Sequence, residues 1–114
     1  MPYINTATTK EISKEMKAEL TRELGEAISL LPGKSEEWLM LRFEGGADMA
    51  FRGDCEGDTA MVEVSLLGKA APEALSALTA RITEILEDKL ALSRDRVYIK
   101  YFETDKWGWN GINL

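Results

Sequence analysis

The chain has 114 residues, 45% hydrophobic and 30% charged, with a net charge of −6. At that length one domain is expected, spanning residues 1–114 and burying roughly two thirds of the surface the unfolded chain exposes, and the composition lies outside the disordered range. The acidic balance, with lysines and arginines scattered among acids, argues against a nucleic-acid or membrane partner; a lone cysteine, Cys55, and the absence of histidine exclude a disulfide framework, a CxxC redox pair and the usual soft-ligand metal site.

The chain opens Met1-Pro2-Tyr3-Ile4. Removal of Met1 would expose the ring nitrogen of Pro2 as a secondary amine, which no other residue type supplies, whereas with Met1 in place the same nitrogen is an amide with no basic lone pair. Pro2 is thus either a base or an ordinary strand-starting proline. No positively charged segment followed by an apolar run is present, so a cytoplasmic location is the default expectation, and non-classical secretion would leave no trace in the sequence.

Tyr3 to Thr8 reads as a short strand. Thr8 with Glu11, or Ser13 alone, can cap a helix with the apolar stripe Ile12, Met16, Leu20, Leu24, Ile28 and Leu31, ended by Pro32-Gly33. Trp38 to Glu44 reads as a second strand, followed by a glycine- and acid-rich connection with the apolar patch Met49-Ala50-Phe51. Ala60 to Leu67 is a third strand. Pro72 opens a second helix with the stripe Leu75, Leu78, Ile82, Ile85 and Leu86, closed by Lys89 and Leu90, and Val97 to Glu103 is the last long strand.

The order is βαβ twice, and the halves align at an offset of 59 residues, Leu31–Glu44 over Leu90–Glu103. Duplicated βαβ units with right-handed crossovers predict an α/β (α+β) fold, a four-stranded mixed sheet with both helices on one face. Period-two alternation assigns Leu39, Leu41, Phe43, Val62, Val64, Leu66, Val97, Ile99 and Tyr101 to the helix side. It assigns Trp38, Met40, Arg42, Glu44, Met61, Glu63, Ser65, Tyr98, Lys100 and Phe102 to the uncovered side, a mixture of large apolar groups and charges that reads as a subunit interface.

Six segments in order carry a resemblance over the whole chain: Met1-Pro2, Gly33-Lys34, Met49-Ala50-Phe51, Ser65 to Lys69 (SLLGK), Ser93 to Tyr101 (SRDRVYIKY) and Gly108-Trp109-Asn110. With them the chain resembles the macrophage migration inhibitory factor and D-dopachrome tautomerase family of the tautomerase superfamily. The resemblance implies a homotrimer with active sites between neighbouring subunits and the processed Pro2 as catalytic base. It further implies that Lys34 and the backbone around Leu67 hold a substrate carboxylate, that Tyr98 enters from the adjacent subunit, and that Tyr3, Trp38, Trp107, Trp109 and Leu114 line an aromatic pocket, with Ser65 also at the site. Lys100 departs from the family by standing where vertebrate members carry an asparagine, and would place a second cation near Pro2. The CxxC of the vertebrate cytokine is also missing, with Thr59 and Val62 at the matching positions.

The chemistry that fits these residues is keto–enol tautomerisation of a phenylpyruvate-like aromatic α-keto acid with no cofactor. A terminal amine ordinarily titrates at about 7.7 to 8.0, and desolvation and neighbouring cations lower that value by disfavouring the charged form. Structural roles stay open for several residues: Tyr98 and Lys100 could serve only the subunit interface, and Trp107 and Trp109 only its seam. The alternative function is a non-catalytic, cytokine-like signalling or binding protein on the same trimeric fold, with a protein receptor if it is secreted. An ACT-like or ferredoxin-like regulatory module is a further rival.

Overall fold

A computed structural model describes residues 1–114. The elements are β1 (Pro2–Thr8), α1 (Lys14–Ala27), β2 (Met40–Glu44), β3 (Ala60–Leu67), α2 (Pro72–Leu90), β4 (Val97–Thr104) and a terminal hairpin of β5 (Gly108–Trp109) and β6 (Ile112–Asn113). The main sheet runs β2-β1-β3-β4, with parallel outer pairs and an antiparallel central pair. This is the duplicated βαβ arrangement that the alternation and the repeat offset predict.

Local chemistry explains the helix limits. The Ser13 hydroxyl accepts from Met16 N at 3.1 Å and is the cap of α1. Thr8 is engaged elsewhere, donating to Thr59 O at 2.8 Å and accepting from Lys10 N at 3.2 Å. Pro72 occupies the first turn of α2, where a missing N–H costs nothing, and Lys89 lies in the last turn, where a cation suits the helix dipole. The core between helices and sheet is aliphatic: Ile4, Val62, Val64 and Leu66 face Leu20, Leu24, Ile28, Leu78, Ile82, Ile85 and Leu86, all essentially inaccessible to solvent.

Two boundaries differ from the sequence reading by more than one residue. Regular α1 stops at Ala27 and continues as a 3-10 turn over Ile28–Leu30. More consequential is Trp38, which is not in a strand: Glu36–Trp38 is a 3-10 turn with Leu39 N bonded to Glu36 O at 3.1 Å, and β2 begins at Met40. That turn packs on α1 at Gly25, where an added Cβ would lie 2.6 Å from a Glu36 carboxylate oxygen. The turn that carries Trp38 is thus seated closely against α1 at Gly25.

The uncovered face is ordered by register into three rows running across all four strands. Met40, Tyr3, Ser65 and Phe102 form the first, Arg42, Asn5, Glu63 and Lys100 the second, and Glu44, Ala7, Met61 and Tyr98 the third. The middle row is a polar chain. Arg42 donates to Asn5 at 3.0 Å, Asn5 to Glu63 at 3.4 Å, and Lys100 pairs with Glu63 at 3.3 Å.

Candidate active site

The first row of the sheet forms the floor of a cavity of about 930 Å³. Met40, Tyr3, Ser65 and Phe102 are joined there by Met1, Pro2, Glu37, Trp38, Leu39, Thr104, Lys106, Trp107, Gly108 and Trp109. The walls come from outside the main sheet. Trp38 is delivered by the 3-10 turn, and Trp107 and Trp109 by the terminal hairpin, whose turn residues Asn110 and Gly111 both take positive φ, 54° and 79°. Two consecutive left-handed residues of this kind make the turn that matches strand twist, and Asn-Gly is its usual sequence. The hairpin is tied back by Leu114 N to Trp107 O at 2.8 Å, and Trp109 meets Trp38 edge to face with centroids 5.1 Å apart.

Pro2 is buried at the end of β1, opposite Leu66. Next to it, Leu67 N–H donates to the carbonyl of Met1 at 3.1 Å, and Lys34 Nζ donates to the carbonyl of Leu67 at 2.7 Å. The α-amino group of Met1 is held below its ordinary value, chiefly by burial and then by the charge and hydrogen bond of Lys34. An amine at this mouth is thus biased towards its neutral, proton-accepting form. Lys34 itself follows Gly33, whose φ of 80° turns the chain after the 3-10 segment and sends the lysine back towards β3.

The single chain brings together Pro2, Tyr3, Trp38, Ser65, Trp107 and Trp109 on the cavity, with Lys34 and Leu67 bonded to each other at its Pro2 end. It does not bring Tyr98, Lys100 or Leu114 there. Tyr98 lies four positions before Phe102 along β4, about 13 Å at the usual strand rise, and is 61% exposed. Lys100 is occupied by Glu63 and lies 5.4 Å from the Phe102 ring centroid. Within one chain the lysine that lines the cavity is Lys106, not Lys100. Met1, Glu37, Met40, Phe102, Thr104 and Lys106 line the cavity without having been singled out as site residues; the Asn-Gly turn signal and the register of Phe102 with Ser65 and Tyr3 would have found the hairpin and the floor.

No group of three or more histidine, cysteine or acidic residues is arranged to hold a metal ion, and no helix is long and apolar enough to cross a membrane. The cavity itself is walled by aromatic side chains, with Ser65, Thr104, Glu37 and Lys106 as its polar lining and the Met1 end of the chain at its mouth.

A family model described as macrophage migration inhibitory factor matches residues 1–114. Among solved structures, MIF2 of Leishmania major is 27% identical, with a TM-score of 0.93 over 100% of this chain and 97% of that one. A macrophage migration inhibitory factor homologue from Prochlorococcus marinus is also 27% identical, with a TM-score of 0.79 over 97% of each chain. The macrophage migration inhibitory factor-like protein of Entamoeba histolytica shares the fold at 18% identity, with a TM-score of 0.87 over 99% of this chain and 98% of that one. No curated protein matches the sequence.

Proposed function

The chain belongs to the macrophage migration inhibitory factor family of the tautomerase superfamily, and from that premise we propose that it is a keto–enol tautomerase of phenylpyruvate-like α-keto acids with Pro2 as the general base. The observation that carries this reading is the pair of bonds at the Pro2 end: Leu67 N–H to Met1 O, and Lys34 Nζ to Leu67 O. Excision of Met1 removes the acceptor of the first bond and turns the amide nitrogen of Pro2 into an amine in one event. The base and an anion-binding N–H are then uncovered together, beside the lysine.

In this mechanism Lys34 and the Leu67 N–H hold the substrate carboxylate, and the aryl ring packs against Trp38, Trp107 and Trp109. The Pro2 nitrogen removes a proton from the enol hydroxyl, or from the carbon beside the carbonyl in the reverse direction, and returns it at the other end of the three-atom system. Lys34 also offsets the negative charge that develops on the enolate oxygen. Tyr98 enters from the adjacent subunit of a homotrimer, which accounts for its exposure on the uncovered face of the single chain.

The test is enol–keto conversion of phenylpyruvate by protein shown by mass spectrometry to lack Met1. A Pro2→Gly variant is expected to lose on the order of 10²-fold in rate. An unchanged rate removes Pro2 from the mechanism, and no turnover by the wild-type Met1-free protein favours the signalling or binding alternative.

A further inference from the structure

The Met49-Ala50-Phe51 patch has no part in the cavity, yet Phe51 is tied to a residue of the proposed site. Its ring meets that of Tyr98 edge to face, with centroids 5.0 Å apart and planes at 85°. Two guanidinium groups flank the same ring: Arg52 at 5.0 Å and Arg96 at 5.5 Å from its centroid. Each is itself fixed. Arg96 donates to Asp58 O at 2.9 Å and to Gly57 O at 3.1 Å, and pairs with Asp54 at 3.4 Å. Arg52 donates to Asp95 O at 3.1 Å and pairs with the Asp95 carboxylate at 3.4 Å.

The backbone is equally constrained. Phe51 and Asp54 exchange N–H···O bonds at 2.9 and 3.0 Å around a turn in which Arg52 and Gly53 both take positive φ. Asp54 in turn accepts from Glu56 N at 2.9 Å, and the Thr59 hydroxyl donates to Arg96 O at 2.6 Å, joining the loop to the start of β4. A connection without regular structure is thus nailed down around one aromatic ring, and that ring touches Tyr98. A side chain 61% exposed on a sheet face would otherwise be free to sample rotamers.

We infer that Phe51, gripped by Arg52 and Arg96, is a positioning residue that sets the orientation of the Tyr98 ring before a second subunit arrives, so that Tyr98 reaches the neighbouring pocket already ordered. The inference rests on the proposed role of Tyr98 at a shared site. Fixing the ring in advance removes an ordering cost from ligand binding, so its loss acts on KM, not on the proton transfer itself.

In Met1-free protein, Phe51→Leu is expected to raise KM for phenylpyruvate by roughly two- to tenfold, the range of an aromatic pair contact, with kcat within about twofold of wild type. Phe51→Tyr keeps the aromatic contact and is expected to restore the wild-type KM. In a Tyr98→Ala background Phe51→Leu should add nothing, whereas additive losses, or an unchanged KM in Phe51→Leu itself, overturn the inference. A second readout is independent of turnover: with 3-fluorotyrosine incorporated, the 19F line assigned to Tyr98 by its loss in Tyr98→Phe should move in Phe51→Leu. An unmoved line overturns the brace even in an active enzyme, and a moved line in a protein without turnover sustains the brace while removing the tautomerase reading.

Discussion

Lys34 has two jobs at the proposed site, and the two can be separated by pH. It hydrogen-bonds Leu67 O, beside the N–H expected to take a carboxylate, and its charge and hydrogen bond come second to burial in depressing the terminal amine. That amine belongs to Met1; in the proposed mechanism Pro2, a buried residue, takes its place beside Lys34 once it is terminal. A depressed amine is neutral over a wider range, so kcat/KM should be on its plateau at neutral pH and fall only as the pH drops through the lowered value. Lys34→Met is expected to shift that acid limb upward towards the ordinary terminal-amine value and, separately, to raise KM by roughly tenfold or more through loss of a charge-assisted contact. An acid limb that stays in place assigns the depression to burial alone. Pro2 and Lys34 were legible in the sequence because each stands in a distinctive dipeptide; Lys106 was not, since the Asn110-Gly111 turn signals a hairpin but not which surface that hairpin covers.

At the scale of elements, the helices and the four long strands follow from patterning that the core enforces. A slip of one residue in β3 would turn Val62, Val64 and Leu66 outward, and they are among the most buried side chains. The α1 cap is a discrete part of that definition: Ser13→Ala should cost about 1 kcal/mol, read as a lower urea midpoint with an unchanged slope, and an unshifted midpoint would mean that the bond to Met16 N contributes nothing. The site walls are different in kind. Trp38 and Trp109 are set by short irregular pieces, a 3-10 turn and a two-residue hairpin turn, where single residues decide and periodicity carries no signal. Gly111, with φ of 79° and open space around its Cβ position, isolates backbone strain from steric clash. Gly111→Val should therefore strain the turn by about 1–2 kcal/mol, loosen Trp109, and weaken binding of aryl keto acids more than that of a small aliphatic keto acid. Equal KM changes for both would show that the hairpin does not form the aromatic wall.

For the whole molecule, the uncovered sheet face is the surface that the proposed trimer would cover. Met40, Tyr98 and Phe102 are 67%, 61% and 58% exposed, while the charges between them are largely paired within the chain, Arg42 with Glu44 and Lys100 with Glu63. A face of this composition can be covered by another subunit without stranding ions. The alternation of apolar and charged residues made that face legible in the sequence; the order of its rows was not, because register between strands is written in neither periodicity nor motif. The proposed trimer makes a prediction that a monomeric site cannot mimic. Pro2→Gly lacks the base and Tyr98→Ala lacks the neighbour's contribution, so each alone should be impaired when assayed well below KM. If the two variants are dissociated together in equal amounts and re-associated at random, each interface draws Pro2 from one chain and Tyr98 from another, and about a quarter of the sites should carry both intact. Activity rising above the mean of the separately treated variants, towards that fraction of wild type, places Tyr98 across the interface from Pro2. No gain on mixing, with exchange confirmed by mass spectrometry of the intact assemblies, would mean that Pro2 and Tyr98 act within one chain or that Tyr98 does not act at all.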